Sequence, residues 1–394
     1  MELTKKQEEG LKIALQRHRS HEKYTVISGY AGTGKSTLVR FIINALDVDE
    51  DKVVYTAYTG KAVEVLRKKG NKNACTLHKL LYDSFPRPGG GFFRKPKPFI
   101  DYDIVIVDEV SMAPKTLMDL LFRHQCYVVC LGDPFQLPPV DKDEDNGLLA
   151  HPHIFLDEVM RQAKESEIIR LTMDIREGNS IAYTHTPTQE VLVLPKTKLN
   201  TGMYNWADQI LVGTNAMRQN VNTQMRSMLG FEGGPQEGDK VICLRNYWDN
   251  FSETEGDPLV NGTIGTLQNG FKTFRDFPYY IKADKHRFDV WQANFVVGED
   301  YFENTEIDYQ MLTTGEKCCD WRLAYQLGKL KNKLGEIVPK EFAYAYAITC
   351  HKSQGSEWDK VLVLEESFPF DRTEHARWLY TACTRASEKL VLVR

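Results

Sequence analysis

The stretch SGYAGTGKST, residues 28–37, decides the fold, because it joins a predicted strand to a predicted helix through a glycine-rich turn. The apolar run before it indicates a buried strand, and STLVRFIINAL (36–46) predicts a helix. Within the turn, GYAGTGKS (29–36) fits the pattern G-x-x-x-x-G-K-[ST] in the context that this motif requires. Glycines let backbone N–H groups wrap a phosphate, and the helix N-terminus adds a favourable dipole. The stretch therefore predicts a phosphate-binding loop.

Two side chains of this loop have expected roles. Lys35 should reach the β- and γ-phosphates of a nucleotide, and Ser36 should bind Mg²⁺. The residues expected to hold the nucleotide are Gly32, Thr33, Gly34, Lys35, Ser36 and Thr37.

A second motif supplies carboxylates. IVIVDEVSM (104–112) is an apolar strand that ends in Asp108 and Glu109. Asp108 is placed to hold Mg²⁺ through water, and Glu109 can accept a proton from an attacking water. Adjacent carboxylates favour hydrolysis over transfer to a substrate hydroxyl. In LGDPFQLPPV (131–140), Gln136 could read the γ-phosphate or orient water, although a surface amide is the default for such a residue in isolation.

The chain alternates strands with helices, which predicts a parallel sheet with functional groups at its carboxyl edge. The apolar runs that predict its strands are residues 23–30, 51–60, 103–109 and 126–133. A Pro- and Gly-rich stretch (84–99) interrupts this pattern and predicts a small hairpin excursion. A second αβ pattern starts near residue 150, with a predicted helix at 215–230 and an aromatic, β-rich segment at 238–303. Residues 309–334 look helical.

Composition narrows the class of protein. The 394 residues have a net charge of −4, 42% hydrophobic residues, and no run of about 18 apolar residues such as a membrane span needs. The N-terminus lacks the apolar core of a signal peptide, and eight scattered cysteines without a CxxC pair suggest a reduced cytosolic compartment and no structural zinc. Residues 60–97 carry ten Lys/Arg against two acidic residues, which is equally compatible with a nucleic-acid track and with a solvated helix face.

Eight segments occur in the order of the superfamily-one helicase motifs: GYAGTGKST, TAYTGKAVEVL, TLHKLL, IVIVDEVSM, GDPFQLPPV, EVMRQA, ITCHKSQGSEWD and YTACTRA. The chain resembles the RecD-like and Dda-like group of that superfamily, and the motifs run from about residue 4 to 386. The resemblance implies an α/β fold of two RecA-like P-loop domains with parallel sheets. It also implies a pin-like insertion in the first domain and a β-rich SH3-like insertion in the second.

The expected domain bounds follow from that resemblance. The first RecA-like domain covers residues 1–150 with a pin at 82–100, the second covers 151–237 and 341–394, and the SH3-like insertion covers 238–340. The implied activity is ATP hydrolysis, with Mg²⁺, to move 5′→3′ on single-stranded DNA and unwind duplex. The implied partners are single-stranded and forked duplex DNA, with no membrane, for a monomer in the cytoplasm of a bacterial or phage-infected cell.

The resemblance also implies residue roles. Gln7 matches the glutamine that reads adenine, and Arg161 and Arg385 match arginines that approach the γ-phosphate from the second domain. Phe92 and Phe93 lie at the predicted pin tip, where an aromatic ring could stack on a base or instead pack on its own domain. The other positions matched to DNA contacts, which could equally be ordinary helix caps, are Thr59, Lys61, Thr76, His78, Thr214, Asn215, His351, Ser353 and Gln354.

Two other functions remain open on sequence. One is a single-stranded DNA translocase that displaces bound proteins but unwinds weakly. The other is a nucleotide-gated single-strand binding protein, against which the complete set of hydrolysis residues argues. A nuclease is disfavoured, because we find no Asp/Glu/Lys constellation outside the nucleotide site.

Overall fold

The structure is a computed structural model, and it describes residues 3–86, 92–138, 145–160, 165–184, 190–254, 258–281, 283, 285–329, 337–367 and 371–394. The chain forms two compact units. The first unit contains Met1–Tyr82, Pro96–Thr214 and Thr349–Arg394, and the second contains Asp83–Lys95 and Asn215–Ile348.

The helices and strands are numbered in chain order. The helices are α1 (Lys5–Arg19), α2 (Lys35–Leu46), α3 (Gly60–Lys68), α4 (Leu77–Leu81), α5 (Lys115–Leu121), α6 (Glu167–Glu177), α7 (Thr201–Trp206), α8 (Asn215–Met228), α9 (Tyr309–Thr314), α10 (Trp321–Lys329) and α11 (Arg372–Cys383). The strands of the first half are β1 (Tyr24–Gly29), β2 (Val53–Ala57), β3 (Cys75–Thr76), β4 (Tyr82–Pro86), β5 (Phe92–Pro96), β6 (Ile104–Val107), β7 (Tyr127–Gly132), β8 (Ile154–Leu156) and β9 (Val191–Leu194). The later strands are β10 (Gln209–Val212), β11 (Lys240–Cys243), β12 (Tyr247–Phe251), β13 (Pro258–Leu259), β14 (Ile264–Asp276), β15 (Arg287–Val297), β16 (Asp300–Asp308), β17 (Phe342–Tyr344), β18 (Ala347–Thr349), β19 (Trp358–Leu364) and β20 (Ala386–Val393).

The first unit contains a six-stranded parallel sheet in the order β3-β2-β6-β7-β1-β8. Both faces are buried: Val26 of β1 packs in one core cluster and its neighbour Ile27 packs in another. This is why its strands read as continuous apolar runs. Because parallel strands end at the same edge, the loops after β1, β6 and β7 meet there.

A second parallel sheet in the same unit has β10, β19, β20 and β9 in adjacent positions. Helix α11 leads directly into β20, so the residues between them lie at the start of a central strand. The prediction of two parallel α/β sheets is confirmed.

The second unit is built on a five-stranded antiparallel sheet in the order β16-β15-β14-β11-β17. Its core includes the fully buried Phe295 and Phe342, whose rings meet edge to face. Strands β4 and β5 form a separate two-stranded sheet. The SH3-like character of the insertion, the pin of the first domain and the expected domain bounds remain predictions.

Some predicted elements are shorter than expected. The helix predicted over 215–230 ends at Met228. The stretch 309–334, which looks helical in sequence, contains two separate helices, α9 and α10, because Gly315 ends α9 in the left-handed conformation with φ of 80°. Among the described residues, none of the helices combines the length and the apolar character required to cross a membrane.

Candidate active site

The loop between β1 and α2 has the backbone shape of a phosphate cradle. Gly32 and Gly34 have φ of 74° and 77°, a conformation that a residue with a side chain rarely adopts. A Cβ atom on Gly34 would also lie 2.5 Å from Nε2 of Gln7. Glycine is therefore required at this position for two independent reasons, and Ser36 and Thr37 follow it in the first turn of α2.

The Lys35 ammonium lies against the loop itself. Its Nζ donates to the carbonyl oxygens of Gly29 (2.7 Å) and Tyr30 (3.0 Å). Thr33 is buried, and its hydroxyl donates to the Tyr30 carbonyl (2.8 Å). The cation is thus held against the loop, where it can exchange backbone carbonyls for phosphate oxygens.

Gln7 is part of this loop's support. Its buried side chain donates from Nε2 to the carbonyl oxygens of Thr33 (3.2 Å) and Gly34 (3.3 Å). Its Oε1 accepts from the Thr4 amide in a capping box that starts α1. The structure therefore brings Gln7 to the nucleotide loop, as the sequence suggested, and its reading of adenine remains a prediction.

The two carboxylates after β6 are held in a strained turn. Glu109 has φ of 50°, which is unusual for a residue other than glycine, and its amide donates to Asp108 Oδ1 (2.9 Å). Strain of this kind costs about 1–3 kcal/mol and clusters at functional sites. The turn directs the Glu109 carboxylate toward the loop after β7 and the start of β20.

Glu109, Gln136 and Arg385 form one network. A guanidinium nitrogen of Arg385 lies 3.8 Å from Glu109 Oε1. The Gln136 amide bridges the two when its orientation is assigned from its neighbours, so that its nitrogen faces Glu109 Oε2 (3.1 Å) as a donor and its oxygen faces Arg385 Nη2 (3.1 Å) as an acceptor. Arg385 is buried and also donates to the carbonyl oxygens of Thr381 and Ser356. Groups from both parallel sheets therefore meet at one carboxylate.

Burial raises the pKa of Glu109 above the ordinary value of a glutamate. The positive charges of Arg385 and Lys35 oppose this shift, while the neighbouring carboxylates of Asp108 and Asp133 add to it. A carboxylate with a raised pKa is a stronger base, which suits a group that must take a proton from water.

The chain matches two family models. An AAA domain model covers residues 2–191, and a UvrD-like helicase C-terminal domain model covers residues 344–393. A curated relative is the ATP-dependent RecD2 DNA helicase of Deinococcus radiodurans, 26% identical over 93% of this chain and 46% of that protein. Another is the ATP-dependent DNA helicase dda of Enterobacteria phage T4, 29% identical over 45% of this chain and 43% of that protein.

A relative of similar length completes the comparison. An uncharacterised protein of Acanthamoeba polyphaga mimivirus is 31% identical over 95% of this chain and 96% of that protein. The chain belongs to the superfamily-one helicases of the RecD-like and Dda-like group.

The fold has a solved counterpart among these helicases. Pif1 helicase from Bacteroides, in complex with ADP-AlF3 and single-stranded DNA, is 18% identical and has a TM-score of 0.52, with 100% of this chain and 92% of that chain covered. The chain spans only 46% and 43% of the length of the RecD2 and dda proteins that it matches.

Sequence reasoning missed a tyrosine in the candidate site. The Tyr380 hydroxyl of α11 donates to Asp133 Oδ2 (2.6 Å) and accepts from the Ala31 amide of the phosphate loop (2.8 Å). Asp133 is buried, and its other oxygen accepts from the Phe135 amide (2.9 Å). One side chain thus connects the loops after β1 and β7 to the helix before Arg385. The signal available was its position in YTACTRA, the segment that also contains Arg385.

Gln354 and Ser353, which the helicase resemblance assigns to DNA, are buried in the protein. Gln354 Nε2 donates to the Leu137 carbonyl (2.6 Å), and the Ser353 hydroxyl donates to the Cys350 carbonyl (2.7 Å). In this arrangement Gln354 supports the same loop as Tyr380. A DNA contact for either residue would require these hydrogen bonds to break, and it stays a prediction.

Other predicted DNA residues begin helices or contact neighbours. Thr59 and Thr76 are the N-caps of α3 and α4, and Gly355 lies so near Thr59 that a Cβ there would be 3.0 Å from its hydroxyl. Lys61 pairs with Glu64 (2.8 Å), and the Thr214 hydroxyl donates to Glu366 (2.7 Å).

The two histidines among the predicted DNA residues, His78 and His351, are both partly buried. The His78 ring lies between those of Tyr58 and Tyr82, at 5.8 and 6.2 Å. His351 is half-buried, and burial lowers its pKa. Asn215 is the exposed first residue of α8, and it belongs to the second unit.

For three predicted site residues, either the whole residue or its side chain is outside the part of the chain that the structure describes. Arg161 is outside the described residues, although the amide of Met160, just before it, donates to the Gly32 carbonyl (2.9 Å). The backbone of Phe92 and Phe93 belongs to β5, but their side chains are not described.

Proposed function

We propose that this protein is an ATP-dependent DNA helicase that hydrolyses ATP to move 5′→3′ on single-stranded DNA and to unwind forked duplex. One observation carries the proposal: Arg385 and Gln136 meet the Glu109 carboxylate at the edge of the sheet that also carries the phosphate loop. This is the set of groups that phosphoryl transfer to water needs, since it combines a base, a water-orienting amide and a guanidinium for developing charge.

The names of relatives support the same conclusion. RecD2 and dda are each described as an ATP-dependent DNA helicase, and Pif1 from Bacteroides forms a complex with ADP-AlF3 and single-stranded DNA. The 5′→3′ polarity and the use of forked DNA are extended to this chain by family membership.

The roles within the proposed site follow from position. Backbone amides of the loop and the Lys35 ammonium, which contacts the carbonyl oxygens of Gly29 and Tyr30 in the same loop, would bind the triphosphate. Glu109 would accept a proton from the attacking water, and Gln136 would orient that water. Arg385 would stabilise charge on the phosphoryl group, with Arg161 as a second guanidinium.

Mg²⁺ fits the oxygen donors at this edge. The Ser36 hydroxyl and the Asp108 carboxylate would hold it, and it would neutralise negative charge on the phosphates. Among the described residues, no cluster of three or more His, Cys, Asp or Glu side chains could hold a metal ion.

Movement on DNA would follow from contacts that depend on the γ-phosphate. With ATP present, groups from the two parallel sheets contact the same phosphate. This favours one arrangement of the two lobes, by which we mean the two parts of the chain that carry these sheets. Hydrolysis removes that shared contact and shifts the population toward another arrangement. If the lobes grip the strand alternately, each cycle becomes a step.

The test has two parts. Phosphate release is measured with and without single-stranded DNA, and then displacement is measured on duplexes that carry either a 5′ or a 3′ tail. We expect DNA-stimulated hydrolysis and displacement from the 5′-tailed substrate only. Hydrolysis with protein removal but poor displacement would indicate a translocase, and no hydrolysis would refute the proposal.

A further inference from the structure

One cavity lies within the second unit. It measures about 470 Å³ and is lined by α8, by α9 and by residues at β17. Its size lies within the range of about 300–1,000 Å³ that is typical of small-molecule sites.

Arg218 of α8 faces this cavity with unsatisfied hydrogen-bonding capacity. The side chain is half-buried, and its Nε atom is buried with no hydrogen-bond partner in the described part of the chain. Burial lowers the pKa of Arg218, and no carboxylate in the described part of the chain is found to oppose this shift. A buried donor without a partner costs about 1–3 kcal/mol, so its presence calls for an acceptor.

Tyr344 lines the same cavity from β17. Its hydroxyl is also buried without a hydrogen-bond partner among the described residues. Burial raises the pKa of Tyr344, so the hydroxyl keeps its proton at neutral pH and can donate. Two residues that line this cavity, from two different elements, therefore each have a buried donor without a hydrogen-bond partner in the described part of the chain.

The charge of the cavity is positive. Its second guanidinium, Arg226, is neutralised by Asp239 through hydrogen bonds of 2.9 and 3.1 Å. None of the residues found lining the cavity is an aspartate or a glutamate. Among the described residues that line the cavity, no carboxylate therefore compensates the charge of Arg218. The hydroxyls of Thr223 and Thr314 also line it, and they already donate to the carbonyl oxygens of Gln219 (3.0 Å) and Gln310 (2.9 Å).

We propose that this cavity binds the phosphate group of a nucleotide unit, with the Arg218 guanidinium and the Tyr344 hydroxyl as its donors. One phosphate can accept from both donors at once, because its oxygens point in several directions and its negative charge matches the Arg218 guanidinium. The cavity exceeds the volume of a phosphate ion, and Phe231 and Met311 supply apolar lining for an attached sugar or base. The phosphate belongs either to a nucleic-acid strand or to a free nucleotide.

The experiment measures hydrogen exchange of residues 215–228 and 309–315 in the full chain, with a dT 12-mer, thymidine monophosphate or inorganic phosphate as the probe. We expect saturable protection by at least one probe, weakened at least about tenfold by Arg218→Gln, since charged hydrogen bonds are the strong ones. Tyr344→Phe should weaken it about fivefold. Arg322→Gln, which removes the same charge from an exposed position on α10, should leave it unchanged.

Comparison of the three probes distinguishes a phosphate in a nucleic-acid strand from a phosphate in a free ligand. Protection by the 12-mer alone, with a salt dependence whose slope falls by about 0.7 in Arg218→Gln, identifies a strand phosphate. Protection by the monophosphate or by phosphate alone identifies a free ligand. Absence of protection by all three probes, or equal protection in Arg218→Gln, overturns the proposal. Arg218→Lys keeps the charge and controls for loss of folding, and DNA-stimulated ATP hydrolysis reports separately on the helicase proposal.

Discussion

Removal of the Tyr380 hydroxyl tests whether the loops of the proposed ATP site are held together as the structure indicates. Tyr380→Phe keeps the ring, its edge-to-face contact with Phe135 and its burial. It deletes the donor to Asp133 Oδ2 and the acceptor of the Ala31 amide. The perturbation is therefore two hydrogen bonds and no cavity larger than one oxygen atom.

The magnitude follows from the partners. A hydrogen bond to a charged group contributes about 1.5–3 kcal/mol and a neutral one about 1 kcal/mol. Because Asp133 is buried, its oxygen cannot turn to water in compensation. We therefore expect the free energy of unfolding to fall by about 3 kcal/mol. Tyr127→Phe is the matched control, since the hydroxyl of Tyr127 is also buried but contacts only the neutral oxygens of Thr25 and Ala14. It should cost about 1–2 kcal/mol.

Urea denaturation followed by tryptophan fluorescence measures these changes, because the fully buried Trp378 lies two residues from Tyr380. A cycle with Asp133→Asn isolates the pair, and we expect Tyr380→Phe and Asp133→Asn to be coupled by about 1–2 kcal/mol. Tyr127→Phe, at the opposite end of β7, should add to Asp133→Asn within about 0.5 kcal/mol. If the effects of Tyr380→Phe and Asp133→Asn on the free energy of unfolding are also additive, the reasoning is refuted.

Further predictions concern the residues that bind and split ATP. Lys35→Ala should abolish ATP turnover, measured as phosphate release, because it removes the cation inside the cradle; turnover at the normal rate would exclude the assigned site. Glu109→Gln should bind ATP, as fluorescent-nucleotide titration can show, but hydrolyse it about 10²–10⁴-fold more slowly. Since burial raises the pKa of Glu109, the wild-type rate should fall as pH drops through a value above that of an ordinary glutamate. If the same fall in rate at low pH persists unchanged in Glu109→Gln, the group that titrates is a different residue.

Much of the fold could be predicted from the sequence because its signals are local. The phosphate loop needs a particular succession of residues at two left-handed glycines, and parallel strands buried on both faces are continuous apolar runs. Both patterns occupy fewer than a dozen neighbouring residues. The break between α9 and α10 was missed although Gly315 marks it, because the surrounding residues favour a helix.

The connections within the site could not be predicted, because they join distant parts of the chain. Tyr380 is 247 residues from Asp133 and 349 from Ala31, and each partner in isolation looks like an ordinary strand-end or loop residue. Gln354 shows the same limit in another form. The resemblance implies a DNA contact for it, which stays a prediction, and gives no sign that its amide is buried against a carbonyl 217 residues away. Which polar side chains are enclosed depends on packing that no local pattern records.

The central claim is that a nucleotide held by the phosphate loop is also contacted by a guanidinium from the second parallel sheet. Single-turnover ATP hydrolysis by Arg385→Ala, in the presence of single-stranded DNA and beside a titration of ATP affinity, tests this most directly. We predict that hydrolysis slows about 10³-fold while affinity changes about threefold or less, because the guanidinium acts mainly on charge that develops during reaction. Hydrolysis at the wild-type rate would contradict the claim.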